Sequence, residues 1–239
     1  MSSLRKAIST NLKALGPRRA SSQGVRKAHL FKPYSPINYN LMLSLDRAES
    51  TFDEHDGMSV VKNDLRPLFQ KYGLQDKFGA GLVHRHFDLR PDERLVAYNG
   101  TSTPWQCRDC FLGRKIVPIA WHLDGDKYVP YEFRFATSPE DIETASELER
   151  QTAFLGEMQD VLHRRELDWV LGLRAMPITR KESLLEVTQG RANISIPQSE
   201  LPDDEQKKPK TETMWFFDQE LERTYACNCS DVMESHRHY

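Results

Sequence analysis

The sequence predicts an α+β protein with a mostly antiparallel sheet packed against one long helix. This sheet can curl into a barrel-like form. Two observations carry this prediction. Short apolar segments alternate with polar residues and are joined by tight turns, which is typical of hairpins. A single long run with helical spacing, residues 139–167, interrupts them. Hairpins around one helix favour an α+β architecture over a parallel α/β one.

The first elements are short. Apolar residues at helical spacing predict a helix over 58–72, which Pro67 divides into two pieces because proline lacks the N–H that an inner helical turn needs. Gly79-Ala80-Gly81 then opens a strand that includes LVHRHF (82–87). After the turn DLRPD (88–92), a second strand ends at Asn99-Gly100.

A hairpin is predicted over 116–135. A three-residue loop, 124–126, would pair Leu123 with residue 127 and Trp121 with Val129. That register places the apolar residues of both strands on one face, whereas a two-residue loop would separate them. His122 then lies on the other face, opposite Tyr128.

The helix over 139–167 has clear start signals. Ser138 is a good N-cap, Pro139 takes the first helical position, and Glu140 and Asp141 favour the first turn. A strand follows over 169–175. Residues 184–196 predict a second hairpin with a type II′ turn at Gly190-Arg191 that pairs Val187 with Ile194, and 214–217 form a last strand.

The near-neutral charge of the chain hides a division. Of 33 basic and 35 acidic side chains, eight basic ones lie in residues 1–45, which contain no acid, so the rest carries 25 basic and 35 acidic groups. We therefore expect a basic arm (1–45), a single domain (46–225) with a polar loop at 198–213, and a Cys/His-rich tail (226–239). No apolar run approaches the roughly 20 residues of a membrane span, so no transmembrane segment is expected.

The arm has three interpretations. It is a disordered tail, a mitochondrial transit segment rich in Ser, Ala and Arg, or a polybasic arm for nucleic acid or an anionic membrane. No secretory signal is seen, so we expect a soluble intracellular protein, cytoplasmic or mitochondrial. The arm or the 198–213 loop could bind a protein partner, and the acidic domain argues against nucleic-acid binding.

His84-Arg85-His86 is the sharpest chemical feature. Residues two apart on a strand share a face, so both imidazoles can reach one ion. His122 is the candidate third ligand, with Asp88, Glu93 or Glu132 as a carboxylate. Such a set suits zinc or non-haem iron bound beside a small molecule. The alternative is that the histidines are ordinary polar residues on a solvated sheet face.

The His-x-His pair resembles that of the cupin family of jelly-roll barrels, which implies metal ligation inside a barrel. The glycine framework of that family is missing here, Glu93 comes late for its carboxylate, and no second motif surrounds His122. The wider run FGAGLVHRHFDLRPDERLV (78–96) resembles a group of uncharacterised proteins of filamentous fungi. That resemblance implies a fungal source and brings no activity, cofactor or catalytic residue.

The four cysteines form two close pairs, Cys107 with Cys110 and Cys227 with Cys229. Four thiolates would hold a structural zinc that staples the tail to the domain; redox chemistry and unrelated thiols are the alternatives.

Two functions therefore remain open. One is a metal or small-molecule binding protein, or a metal-dependent enzyme, using His84, His86 and His122. The other is a non-enzymatic interaction module with a zinc-stapled tail.

Overall fold

The predicted helices and strands occur in the predicted order, together with helices within 36–54 and strands over 101–106 and 223–228 that the sequence did not predict. The computed structural model describes residues 30–106, 115–177, 184–201, 203 and 210–217, and the backbone of 223–228. The strands are β1 Phe78–Leu82, β2 Glu93–Tyr98, β3 Thr101–Gln106, β4 Ile116–Asp124, β5 Lys127–Phe135, β6 Leu171–Ala175, β7 Leu184–Gln189, β8 Ala192–Pro197, β9 Thr211–Phe216 and β10 Arg223–Asn228. The helices are α1 Pro36–Asn40, α2 Leu45–Glu54, α3 Gly57–Val60, α4 Arg66–Lys71, α5 Pro139–Arg150 and α6 Thr152–Arg164.

The strands form one sheet that closes on itself. The described strands follow the order β1-β6-β4-β5-β2-β3-β8-β7-β10-β9, and β9 returns to pair with β1. All neighbours are antiparallel except β2 with β5 and β7 with β10. The predicted α+β class and the mostly antiparallel, barrel-like sheet are thus confirmed. In the described part of the chain, no helix has both the length and the apolar character needed to cross a membrane.

The principal core lies between the helices and one side of this barrel. Side chains of α2, α4 and α6 pack there against β1, β4, β6 and β9. Phe52 stacks on Trp215 with ring centroids 5.0 Å apart, and Phe69 meets Phe154 edge to face at 4.9 Å. Strands on this side are consequently buried on both faces, one by the helices and one by the barrel interior.

This double burial explains why the predicted register of the β4–β5 hairpin is wrong. The loop has two residues, Gly125 and Asp126, with Asp124 paired to Lys127. Bulges near Ala120 shift the register further along the hairpin. Because apolar residues occupy both faces, their alternation does not report which face meets the core. His122 consequently pairs with Val129 and is buried, not exposed on a polar face.

Other elements differ in smaller ways. Residues 57–71 are continuously helical, and Pro67 does not divide them. Proline lacks an N–H and so removes one backbone hydrogen bond from a helix. A π-helical stretch over Val61–Leu65 precedes Pro67 and accommodates this missing hydrogen bond. The β7–β8 hairpin has the predicted register, with Val187 opposite Ile194. Gly190 alone of its two turn residues has a positive φ, as a type II′ turn requires.

The predicted long helix is two helices. The chain leaves the helical region at Gln151, where ψ is 49° and the backbone N–H bonds to the Leu148 carbonyl, three residues back. No glycine or proline marks this break. We attribute it to packing, because α6 buries five large apolar side chains whereas α5 buries only Leu148 among its apolar residues.

The outer limits of the fold extend beyond the predicted domain. Lys32, within the predicted basic arm, donates through its backbone to the Tyr128 carbonyl and through Nζ to Asp124 at 2.7 Å. At the other end, β10 continues to Asn228, inside the predicted tail. The polar loop at 198–213 begins with a 3₁₀ turn at Gln198–Glu200, and residues 202 and 204–209 lie outside the described ones.

Helix α5 starts at a complete capping box that supports a pH-dependent prediction. Ser138 accepts from the Asp141 N–H, while the Asp141 carboxylate accepts from Thr137, from the Ser138 N–H and from Arg134. Burial alone would raise the pKa of Asp141, but the Thr137 N–H and the Arg134 charge outweigh it and lower the pKa.

We expect Asp141→Asn to lower the free energy of unfolding by about 2 kcal/mol at pH 7, since it removes charge-assisted hydrogen bonds. A lowered folded-state pKa contributes stability above the unfolded value of about 3.9, and that stability is lost as the pH falls through the folded value. Urea denaturation at several pH values measures both effects. The exposed neighbour Glu140→Gln is the control, and equal losses in the two variants at pH 7 would refute the assignment.

Candidate metal centre

The segment that carries the two histidines follows β1 and is irregular, not the predicted strand. The strand ends at Leu82. Beyond it, the Val83 N–H donates to the Val170 carbonyl at 2.8 Å, and the Arg85 N–H donates to the Leu43 carbonyl at 2.9 Å. The segment is therefore held by the α1–α2 connection on one side and by the start of β6 on the other.

Asn40, at the end of α1, fixes the far end of this segment. Its Nδ2 donates to the Leu89 carbonyl at 2.8 Å, and its Oδ1 accepts from the Leu89 N–H at 2.8 Å. The Asn40 carbonyl also accepts from the Arg85 guanidinium at 2.6 Å. One asparagine thus supplies the hydrogen bonds that a strand partner would have supplied.

We expect Asn40→Ala to lower the free energy of unfolding by about 2 kcal/mol, since two buried backbone groups lose their partners. If the histidines bind a metal, the variant also weakens that binding by about tenfold, because outer groups orient metal ligands. Asn38→Ala, in the same helix, is the matched control, since the Asn38 side chain donates only to Asp124 among the described residues. Denaturation and metal titration of both variants test the prediction, which fails if the two behave alike.

One ring nitrogen of His84 is buried and lacks a partner in the described part of the chain. Its Nδ1 lies 2.8 Å from the Leu82 carbonyl oxygen. A carbonyl only accepts, so Nδ1 carries the proton and, in the neutral ring, Nε2 is a bare lone pair. Among the described residues, Nε2 has no hydrogen-bond partner. Burial, followed by repulsion from His86, lowers the pKa of His84 to about 3, so the ring stays neutral at physiological pH.

His86 and Glu186 form a close pair beside it. His86 Nε2 lies 2.8 Å from Glu186 Oε1, and His86 Nδ1 lies 2.9 Å from the Thr188 hydroxyl. The rings of His84 and His86 meet edge to face with centroids 4.6 Å apart. Burial would raise the pKa of Glu186, but His86 and then Arg174 outweigh it and lower the pKa to about 2. Glu186 is therefore a buried carboxylate that remains charged.

These three side chains converge in the manner of a metal site. One ligand atom from each of His84, His86 and Glu186 lies within 4.8 Å of the other two. Around a tetrahedral zinc, with bonds of about 2.0–2.2 Å, ligand atoms are separated by roughly 3.3–3.6 Å, so the group needs to contract by at most about 1.5 Å. The Nδ1–H of His84 bonded to a backbone carbonyl is also the usual outer contact of a metal-binding histidine.

A second polar group surrounds this centre inside the barrel. Arg174 on β6 forms a short ion pair with Glu132 on β5, and the Ser102 hydroxyl donates to the same carboxylate at 2.6 Å. Arg174 also hydrogen-bonds to Tyr131, whose pKa burial raises to about 12. Among the residues lining the small cavity beside the histidines are Tyr39, Tyr131, Glu132, Arg174 and Asn193. The cavity volume of about 20 Å³ is enough for one or two water molecules.

The predicted site residues divide into those that meet and those that do not. His84 and His86 come together, and Glu132 lines the same cavity but is paired with Arg174. His122 is not part of the group: its Nδ1 lies 2.9 Å from the Leu123 carbonyl, and its pKa is lowered by burial. The register change in β4–β5 is the reason. Asp88 is exposed and pairs with Arg85.

Cys107, Cys110 and Cys229 of the alternative zinc site lie outside the described residues. The backbone of Cys227 is described, in β10, as the register partner of Glu186.

Glu186 and Arg174 are the residues of the candidate site that the sequence did not reveal. Glu186 lies 100 residues after His86 along the chain, so no local spacing connects them. Its only signal is that it is a single acid between Leu185 and Val187 in a predicted strand. Arg174 is likewise a single charge in an otherwise apolar strand, a placement that alone does not distinguish a barrel interior from solvent.

No protein-family model, curated protein or solved structure that we compared with the chain matches it.

Proposed function

We propose that the protein binds one divalent transition-metal ion, zinc or iron, through His84, His86 and Glu186, and that the site performs metal-assisted chemistry on a small molecule. The observation that supports this most is the bare, buried Nε2 of His84 beside the His86–Glu186 pair. A buried acceptor without a partner costs free energy in a protein that does not use it. Coordination would satisfy it.

The ligand set favours a reactive centre over a purely structural one. Structural zinc usually has four protein ligands, whereas two histidines and one carboxylate leave a position open in zinc hydrolases and in non-haem iron enzymes. A metal held there would polarise a bound water or substrate. Polar side chains line the cavity beside these three residues. Its volume of about 20 Å³ limits the size of a ligand that can enter.

Metal binding would have to replace the hydrogen bond between His86 and Glu186. The Nε2 proton of His86 lies between that nitrogen and Glu186. Histidine binds metals as a neutral ligand through a lone pair, so His86 would ligate through Nε2 only with its remaining ring proton on Nδ1, beside the Thr188 hydroxyl. Glu186 is already ionised, and His84 is already neutral with its lone pair unused.

A cobalt titration tests the proposal. Tag-free full-length protein, treated with a chelator and then dialysed, is titrated with Co²⁺ while visible absorption is followed. We expect one equivalent to bind with the intense absorption of four- or five-coordinate cobalt. A variant with all four cysteines replaced by serine should bind the same equivalent, which separates this site from a cysteine site. Failure to bind cobalt, or loss of all binding in the serine variant, would overturn the proposal.

A further inference from the structure

We infer that the metal centre takes a small monoanion, of the size of azide, formate or nitrite, held by the Arg174 guanidinium and the Tyr39 hydroxyl. This inference rests on the proposed metal site and specifies the ligand class of its open position. Three properties of the cavity lead to it: a buried cation in its wall, the balance of charge once a metal is present, and a hydroxyl that donates no described hydrogen bond.

Arg174 is a permanent cation in the cavity wall. Its side chain is 12% exposed and is ion-paired with Glu132, which itself also accepts from Ser102. Desolvation works against the charged guanidinium, yet the attraction of Glu132 and Tyr131 raises its pKa overall. Guanidinium carries five N–H donors in a planar fork, which matches small planar anions better than a point charge does.

The charges of the cavity do not balance when a metal is bound. Its charged lining residues are Glu132, Arg174 and Glu186. With both imidazoles neutral as ligands, a divalent ion and one guanidinium face two carboxylates, which leaves a net charge of one positive unit. Charge left unbalanced in a buried site is costly. A monoanion at the open position removes the excess, whereas a neutral or cationic ligand does not.

Tyr39 supplies a neutral donor on the same cavity. Its side chain is 1% exposed, and its hydroxyl donates no hydrogen bond to any described residue. Burial and then the charge of Glu132 raise its pKa, so the hydroxyl keeps its proton. A buried hydroxyl donor is expected to have an acceptor. An anion in the cavity provides one, and the 20 Å³ volume restricts that anion to a few heavy atoms.

Azide titration of the cobalt-loaded full-length protein tests this inference through the cobalt spectrum. We expect wild type to bind one azide, and Arg174→Gln to weaken azide binding by roughly tenfold or more, since a hydrogen bond from a charged donor is lost. Glu132→Gln, which removes a negative charge from the same wall, should strengthen it. Tyr39→Phe should weaken it by several-fold while preserving the charge.

The opposite signs of the two charge variants make the test specific. If Arg174→Gln does not fold, the double variant Arg174→Gln/Glu132→Gln, which removes the pair together, carries the test and must bind azide more weakly than Glu132→Gln alone. Cobalt content is measured in every sample. Absence of cobalt in wild type overturns the proposed metal site. Normal cobalt content with azide binding that is absent, or unaffected by these substitutions, overturns the monoanion inference alone.

Discussion

Replacing Glu186 by Gln is expected to weaken Co²⁺ binding by more than about a hundredfold, because loss of an outer group alone costs 10–100-fold and this change removes a ligand. The substitution keeps the shape of the side chain and removes its charge. A neutral amide oxygen is a poorer ligand for a divalent ion than a carboxylate, and Glu186 is the only anion among the three converging side chains.

Glu132→Gln is the matched control for this prediction. It makes the same chemical change in the same cavity, at a carboxylate that is paired with Arg174 and Ser102 and lies outside the converging group. We expect it to bind one cobalt with near wild-type affinity. Calorimetry on tag-free protein gives both stoichiometry and affinity. If the two variants bind equally well, Glu186 is not a ligand.

The largest effect on stability is expected for Gly172→Ala, in β6. A Cβ at this position would overlap the Trp121 carbonyl of the neighbouring strand β4. Backbone on both sides of the contact cannot yield as a flexible side chain would. We expect a loss of about 3 kcal/mol in the free energy of unfolding, at the upper end of overpacking effects. Guanidinium denaturation followed by circular dichroism measures it.

Gly156→Ala is the control for that prediction. Gly156 lies within α6, and a Cβ there would meet no neighbouring atom within 4 Å. Alanine is favoured over glycine in a helix by about 1 kcal/mol, so this variant should be more stable than wild type. Unfolding of Gly172→Ala at the same denaturant concentration as wild type would show that a Cβ at position 172 is tolerated and would refute the prediction.

The parts of the fold that the sequence predicts are those where one face of an element is buried. The β7–β8 hairpin has its predicted register because Leu185 is buried while turn chemistry places Gly190. The β4–β5 hairpin differs because helices cover one of its faces and the barrel interior fills the other. The division at Gln151 has no local signal, since packing of α6 and not backbone preference determines it.

In the candidate site, the contact between residues close in sequence could be predicted, whereas the contact between residues far apart in sequence could not. His84 and His86 are two residues apart, so their proximity is a property of the local chain and could be predicted, although the strand that was to present them is an irregular segment. Glu186 reaches them only because β7 belongs to the same closed sheet as β1 and is connected to it through β10 and β9. Such a contact depends on sheet order, which hydrophobic periodicity does not specify.

Metal binding by His84, His86 and Glu186 is tested most directly by the position of a metal in a crystal. Tag-free protein loaded with one equivalent of zinc is crystallised, and anomalous differences are collected on both sides of the zinc absorption edge. We expect one anomalous peak within about 2.0–2.2 Å of a nitrogen of His84, a nitrogen of His86 and a carboxylate oxygen of Glu186. A peak at the cysteines alone, or none near these three side chains, would contradict it.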